Sequence, residues 1–209
     1  MDSSSKRIGI LGGTFNPIHY GHLIIGDNAM HQYHLDQVIF LPTGHAPHKE
    51  YGGEAMTYHR CRMVEEAIAD NPRFTISYYE TQKNTVSYTY STLQHFKAEY
   101  PDAELYFIVG ADSLIEFETW RHPEQICREA ILLAAVRDTY NEKKVDTQIA
   151  YLQDKYHGRI HRLETPNFNV SGKKLRQRVQ TGKTIRYMLP DRVEAYIREH
   201  SLYIREEEK

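Results

Sequence analysis

Short apolar segments alternate along this chain with longer segments in which apolar residues recur every three or four positions. The apolar segments are rich in Ile, Val, Leu and Phe, and several of them end in Gly or Pro, which is typical of strands. They predict strands at 6–12, 37–42, 74–77, 105–109, 131–136 and 159–163.

The segments between the predicted strands have helical spacing. In 58–69, for example, Cys61, Val64, Ala67 and Ile68 fall on one face of a helix. The same spacing predicts helices at 22–33, 58–69, 88–99, 143–156, 171–180 and 191–201. The segment 43–53, which is rich in Gly, Pro and His, predicts a loop.

Strands that are apolar throughout and separated by helices indicate a parallel sheet with both faces covered. Right-handed crossovers make this a doubly wound, Rossmann-like α/β fold, here with a helical C-terminal portion. Ligands of such sheets bind beyond the carboxyl ends of the strands, where the strand order reverses. Because no repeat or linker divides the sequence, we expect a single domain over 1–209.

Charge and composition narrow the choice of partners. The net charge is -2 with 40% hydrophobic residues, so there is no overall basic field for nucleic acid or for an acidic membrane. A phosphate-bearing ligand therefore needs a local site. Cys61 and Cys127 form no CxxC pair and are expected to be reduced thiols. The apolar run 130–136 is too short to span a bilayer and no signal-peptide pattern is present, so we expect a cytoplasmic protein.

The richest candidate chemistry lies in 12–22, between the first predicted strand and the first predicted helix. Gly12 and Gly13 allow a sharp turn and a close approach of the backbone to a ligand. Gly21 leaves room for a bulky anion, and the helix N-terminus adds partial positive charge and free amides. These features suit a polyphosphate, although neither the P-loop pattern nor GxGxxG is present.

Two histidines in this segment, His19 and His22, are three residues apart and would face the same way on a first helical turn. Together with His45 and His48 they also form two HxxH pairs, so a transition-metal site is an alternative. The HExxH spacing of metalloproteases is absent, which favours the phosphate interpretation.

The segment 14–22 resembles the TxxHxGH signature of the nucleotidyltransferase superfamily, and 170–176 resembles its second signature, I-S-x-T-x-[IL]-R. By this resemblance Thr14 and Phe15 belong to an ATP-binding loop. Ser171 would cap a helix and leave amides for phosphate, and Arg176 would bind the β- and γ-phosphates. Lys173 stands where threonine is usual.

Further segments are similar to those of bacterial nicotinate mononucleotide adenylyltransferases, and this resemblance covers nearly the whole chain. They are 46–49 (APHK, similar to PPHK), 87–89 (SYT), 110–112 (GAD) and Trp120, the single tryptophan. Two departures are Asn16, where many members have aspartate, and Arg137, which lacks the usual following proline.

The resemblance implies transfer of an adenylyl group from ATP to nicotinate mononucleotide in NAD biosynthesis, with Mg²⁺ held by phosphates and water rather than by protein ligands. His22 and His19 would be catalytic. The implied ATP-binding residues are Gly12, Gly13, Thr14, Phe15, Ser171 and Arg176, and the implied acceptor-binding residues are Lys49, Thr89, Gly110, Asp112 and Trp120.

Several alternatives stay open at the level of sequence. The acceptor could instead be nicotinamide mononucleotide, phosphopantetheine or FMN. The chain could also be a non-catalytic nucleotide sensor on the same fold, or a hydrolase with a metal bound by the histidine pairs. A homo-oligomer is compatible with the 16 tyrosines, which are common at interfaces.

Overall fold

A parallel β-sheet forms the centre of the computed structural model, which describes residues 5–44, 53–136 and 142–204. Within these ranges the sheet has six strands: β1 (Arg7–Gly13), β2 (Gln37–Pro42), β3 (Phe74–Ile76), β4 (Glu104–Gly110), β5 (Ile131–Val136) and β6 (Ile160–Glu164). The helices are α1 (Tyr20–Gln32), α2 (Gly53–Ile68), α3 (Thr89–Glu99), α4 (Ala111–Ile115), α5 (Pro123–Glu129), α6 (Glu142–Tyr156), α7 (Gly172–Gln180) and α8 (Asp191–Glu199).

The strand order is β3-β2-β1-β4-β5-β6, and every pairing is parallel. The chain therefore builds the sheet outward in one direction from β1 and then in the other direction from β4. The reversal between β1 and β4 is the switch point at which doubly wound folds bind ligands. The predicted Rossmann-like α/β fold is confirmed.

The sheet is buried on both faces, which explains why its strands are apolar throughout. Alternate residues of one strand enter two different hydrophobic clusters: Ile8 and Ile10 of β1 belong to one, and Leu11 belongs to the other. In the same way Phe107 and Ile108 of β4 point to opposite sides. No helix in the described ranges is long and apolar enough to cross a membrane.

The predicted elements differ from the observed ones mainly at helix starts. Helix α1 begins at Tyr20 and α2 at Gly53, both earlier than predicted. Residues 45–52 of the predicted loop 43–53 lie outside the described residues. The helices within 111–129 were missed. They are only three to seven residues long, with a 3₁₀ turn at Phe117–Thr119 between α4 and α5. Elements this short show no measurable periodicity.

At the end of the sheet opposite the switch point, Glu104, the first residue of β4, connects its strand to β1 and to the residue that precedes β6. Its carboxylate accepts hydrogen bonds from Tyr106 (2.6 Å) and Arg159 (2.6 Å), and Arg7 of β1 lies 3.7 Å away. The hydrogen bond from Tyr106 and the neighbouring guanidinium groups hold the pKa of Glu104 below its usual range, against the opposing effect of partial burial.

We therefore expect Glu104→Gln to lower the free energy of unfolding by about 1 kcal/mol at neutral pH. A lowered carboxyl pKa stabilises the fold above the pKa of the unfolded chain, and this contribution is lost as the pH falls through the lower folded-state pKa. Urea unfolding of the wild type and of Glu104→Gln between pH 7 and pH 3 measures this contribution to the free energy of unfolding. The difference between the two proteins should shrink on acidification, and a difference that is constant with pH would contradict the assignment.

Candidate functional site

The signature loop, defined here as residues 13–19, leaves β1 in an unusual backbone conformation. Phe15 has a φ of 47°, which costs a non-glycine residue on the order of 1 kcal/mol. Its ring is only 1% exposed and packs against Phe40, so burial of the ring offsets that cost. A Cβ at Gly13 would lie 2.8 Å from the same ring, so glycine is needed here for close approach.

The two histidines meet at the start of α1. His19 is the N-cap residue, His22 lies in the first turn, and their rings stack with centroids 3.8 Å apart. The backbone N–H of His19 donates to Nδ1 of His22 at 3.3 Å. A neutral His22 therefore carries its proton on Nε2, which makes that nitrogen a hydrogen-bond donor.

Gly21 serves a different purpose from the one expected. A Cβ at this position would lie 3.0 Å from Nδ1 of His19 and 3.6 Å from Phe168. The space that the missing side chain leaves is therefore occupied by the His19 ring, which is 2% exposed, and not by open volume for an anion.

The second signature lies directly against the first. Ser171 caps α7, as predicted, by accepting a hydrogen bond from the backbone amide of Lys174 at 3.3 Å. A Cβ at Gly172 would lie 2.6 Å from the carbonyl oxygen of Asn16. The Arg176 guanidinium donates to that same oxygen at 2.6 Å. The two motifs thus form one surface at the switch point.

A residue that the sequence argument missed, Tyr203, holds the other side of Asn16. Its hydroxyl donates to Oδ1 of Asn16 at 2.6 Å, and burial raises its pKa above the usual range. Asn16 is thus bound through its carbonyl by Arg176 and through its side chain by Tyr203. An aspartate here would also accept these bonds, which accounts for both residue types at this position.

The predicted acceptor residues on α3 and in the turn before α5 lie near each other. Thr89 is the first residue of α3, and the flanking Tyr88 and Tyr90 contact the segment after Trp120. Arg121 lies 5.0 Å from the Tyr88 ring, and the His122 ring is 4.7 Å from that of Tyr90. Trp120 packs on Phe107 and Phe117 and is partly exposed, which leaves part of the indole for a ligand.

Gly110 and Asp112 stand at the carboxyl end of β4, next to the end of β1, and both are exposed. They therefore border the same switch point as the signature loop. Lys49, Arg137, His45 and His48 lie outside the described residues. Within the described ranges no group of three or more His, Cys, Asp or Glu side chains could hold a metal ion.

Two buried charged residues next to this site were also missed. Arg60 of α2 is 0% exposed and Glu80 is 8% exposed, and both contact the segment that follows β2. The sequence did contain a signal for the first of them. Arg60 lies four positions before Val64, on the apolar face of its helix, where a charged residue needs a specific set of partners.

The fold and the paired signatures at its switch point define a nucleotidyltransferase. Residues 10–178 match the family model described as cytidylyltransferase-like. A protein of Plasmodium falciparum, described as a nicotinic acid mononucleotide adenylyltransferase complexed with NaAD, has a similar fold. It superposes with a TM-score of 0.77 at 17% identity, over 95% of this chain and 97% of that one.

More similar sequences narrow the family. A relative from Lachnoclostridium phytofermentans is 41% identical over 95% of this chain and 100% of its own length. Another, from Synechococcus sp., is 41% identical over 97% of each chain. Both are named "probable nicotinate-nucleotide adenylyltransferase". This chain belongs to the nicotinate-nucleotide adenylyltransferase family, as the sequence analysis predicted.

The role of Tyr203 can be tested by removing its hydroxyl. Tyr203→Phe should lower the free energy of unfolding by about 1 kcal/mol, because a buried hydrogen bond to Asn16 is lost. If ordering the loop again costs a similar free energy when ATP binds, the affinity for ATP should fall about fivefold. Urea unfolding and calorimetric titration with ATP measure the two effects. Tyr187→Phe is the matched control, since that ring is 76% exposed. Equal behaviour of the two variants would refute the role.

Proposed function

We propose that the protein transfers the adenylyl group of ATP to the phosphate of nicotinate mononucleotide, giving nicotinate adenine dinucleotide and pyrophosphate. The observation that carries the proposal is the geometry at the start of α1, where the backbone sets Nε2 of His22 as a donor beside the helix N-terminus. The family names of the relatives support the choice of both substrates. We further propose that residues 1–209 form one catalytic domain, which acts in the cytoplasm, where ATP is abundant.

The chemistry needs no protein nucleophile. A phosphate oxygen of the mononucleotide attacks the α-phosphorus of ATP, and the bond from that phosphorus to the pyrophosphate oxygen breaks. The attacking oxygen is already anionic, so no general base is required, and catalysis consists of positioning and charge stabilisation. His22 and His19 would donate to the α-phosphate as charge moves to the leaving group.

The remaining phosphates would be held by α7. Its N-terminal amides carry partial positive charge, and Arg176 offers a planar set of donors that matches phosphate oxygens. Because Arg176 already donates to Asn16, a triphosphate bound to it would be placed relative to the signature loop. Gly12, Gly13, Thr14 and Phe15 would line the approach to the α-phosphate from β1.

Mg²⁺ enters this scheme as part of the MgATP substrate. The signature loop contains no carboxylate, the protein ligand through which Mg²⁺ is usually bound. The ion would keep most of its water and neutralise charge on the β- and γ-phosphates.

The acceptor would bind between α3 and Trp120. Tyr88, the N-cap residue of α3, makes no capping hydrogen bond with its side chain, so the first turn of the helix can receive a carboxylate. Trp120 would stack on the pyridine ring and Asp112 would bind a ribose hydroxyl. Lys49, which follows β2 in the sequence, would add positive charge for the acceptor phosphate. Because a helix N-terminus carries partial positive charge, it would bind the carboxylate of nicotinate more tightly than the neutral amide of nicotinamide.

Pyrophosphate release with MgATP tests the substrate directly, with nicotinate mononucleotide and nicotinamide mononucleotide in parallel. We expect kcat/KM to favour the acid by about fivefold, since a carboxylate at a helix N-terminus gains on the order of 1 kcal/mol over a neutral amide. Preference for the amide would overturn the acceptor assignment and leave the chemistry in place. Turnover only with phosphopantetheine or FMN would place the protein in another branch of the nucleotidyltransferase superfamily. ATP binding without any turnover would identify a nucleotide sensor.

The catalytic role of the histidine pair has its own test. His22→Ala should lower kcat by about 100-fold or more, as loss of an oxyanion donor commonly does, with a smaller change in KM for ATP. His31→Ala is the control, because that residue lies on the same helix with its side chain 65% exposed. Turnover of His22→Ala close to that of His31→Ala would rule out the proposed mechanism.

A further inference from the structure

Arg60 is a fully buried arginine that the proposed chemistry does not use. It lies on the inward face of α2 and is 0% exposed, beneath the loops that follow β1 and β2. Burying a guanidinium group is costly unless its donors are satisfied. The partners that satisfy it therefore indicate what the residue does.

Two of those partners are backbone carbonyls in different loops. Nη1 of Arg60 donates to the carbonyl of Thr14 at 2.7 Å, and Nη2 donates to the carbonyl of Thr43 at 2.8 Å. The ladder between β1 and β2 makes its last hydrogen bond just before this point, from the amide of Thr43 to the carbonyl of Gly13 at 2.9 Å. The guanidinium group continues the connection where the strands have ended.

The second loop is held from its other side as well. The backbone amide of Gly44 binds the carboxyl group of Glu80, which also accepts from Thr92 of α3 at 2.8 Å. A Cβ at Gly44 would lie 2.0 Å from the carbonyl oxygen of Glu80, so the two backbones are in direct contact. Thr43 and Gly44 are therefore fixed independently of Arg60.

This asymmetry indicates which loop would move if Arg60 were lost. Thr43 is anchored by the ladder and by its neighbour Gly44, whereas Thr14 precedes Phe15 with its unfavourable positive φ. Without the guanidinium group, the connection between Thr14 and Thr43 would be lost, while Arg176 and Tyr203 would still hold the signature loop at Asn16. The ATP side of the site would then shift relative to α3 on the acceptor side, because Glu80 connects Gly44 to Thr92 of that helix.

We propose that Arg60 is a positioning residue that sets the distance between the two substrates. It joins Thr14 of the ATP-binding loop to Thr43, whose neighbour Gly44 is connected through Glu80 to α3 on the acceptor side. This inference rests on the proposed function. An in-line transfer requires the attacking oxygen and the α-phosphorus to be about 3–3.5 Å apart, and a displacement of about 1 Å can cost 100-fold in rate. Arg60 acts through the backbone and touches neither substrate.

The test compares binding of the separate substrates with steps that need both sites in register. Arg60→Met should bind ATP alone and nicotinate mononucleotide alone within about threefold of wild type, because each half-site stays intact. Its kcat should fall by about tenfold to 100-fold, and its affinity for the dinucleotide product should fall by about tenfold, since linked ligands bind tightly only when the spacing fits. Calorimetry and initial rates measure these quantities below the unfolding temperature of each variant.

Two further variants separate positioning from folding. Arg62→Met is the matched control, because Arg62 lies on the same helix but pairs with Glu65 and Glu66 at the surface, and it should behave as wild type. Arg60→Lys keeps the positive charge but not the two separate nitrogen donors of the guanidinium group. Relative to Arg60→Met, it should therefore restore stability more than kcat. Loss of stability in Arg60→Met with normal kcat and normal product affinity would overturn the inference. Wild-type protein that uses neither pyridine mononucleotide would overturn the proposed function, and the inference with it.

Discussion

The candidate site depends on one backbone group, the carbonyl of Asn16. Arg176 donates to it from a position 160 residues further along the chain, and Gly172 approaches it so closely that any side chain there would collide. This contact joins the N-terminus of α7 to the loop that precedes the N-terminus of α1. The N-termini of two helices, each with partial positive charge, are thereby brought close together, which suits the binding of a chain of phosphates.

The order of the strands in the sheet makes that contact possible. Since β1 and β4 are neighbours at the point where the strand order reverses, the segments after them diverge and leave a crevice. The signature loop enters the crevice with Phe15 buried and with a backbone angle that is unfavourable by itself. Three side chains hold this loop from different directions: Arg176, Tyr203 and Arg60. Each donates a hydrogen bond to the loop, which indicates that the conformation of the loop needs support from the rest of the fold.

Periodicity and local signals predicted the parts of this structure that are local in sequence. Strands 37–42 and 131–136 agree with the observed bounds, and the cap at Ser171 is where the sequence placed it. The same approach missed the short helices in 111–129 and the role of Gly21, whose missing side chain makes room for the His19 ring. It could not find Tyr203, because nothing near residue 203 reveals that the chain returns to Asn16. Arg60 was detectable only as a charge on an apolar helical face, and that signal does not name its partners.

The buried tie through Arg60 also bears on the choice between a transferase and a sensor. Replacing Arg60 with an apolar side chain would leave the carbonyls of Thr14 and Thr43 without this donor, so Arg60 contributes to stability. Stability alone, however, does not require one side chain to bind two different loops. A sensor needs affinity for one nucleotide, and the helix N-terminus with Arg176 would supply it without any fixed distance to a second loop. A transferase must hold two ligands at a set separation. A guanidinium group that binds Thr14 with one nitrogen and Thr43 with another controls that separation, and it does so at the point where the β-ladder stops controlling it.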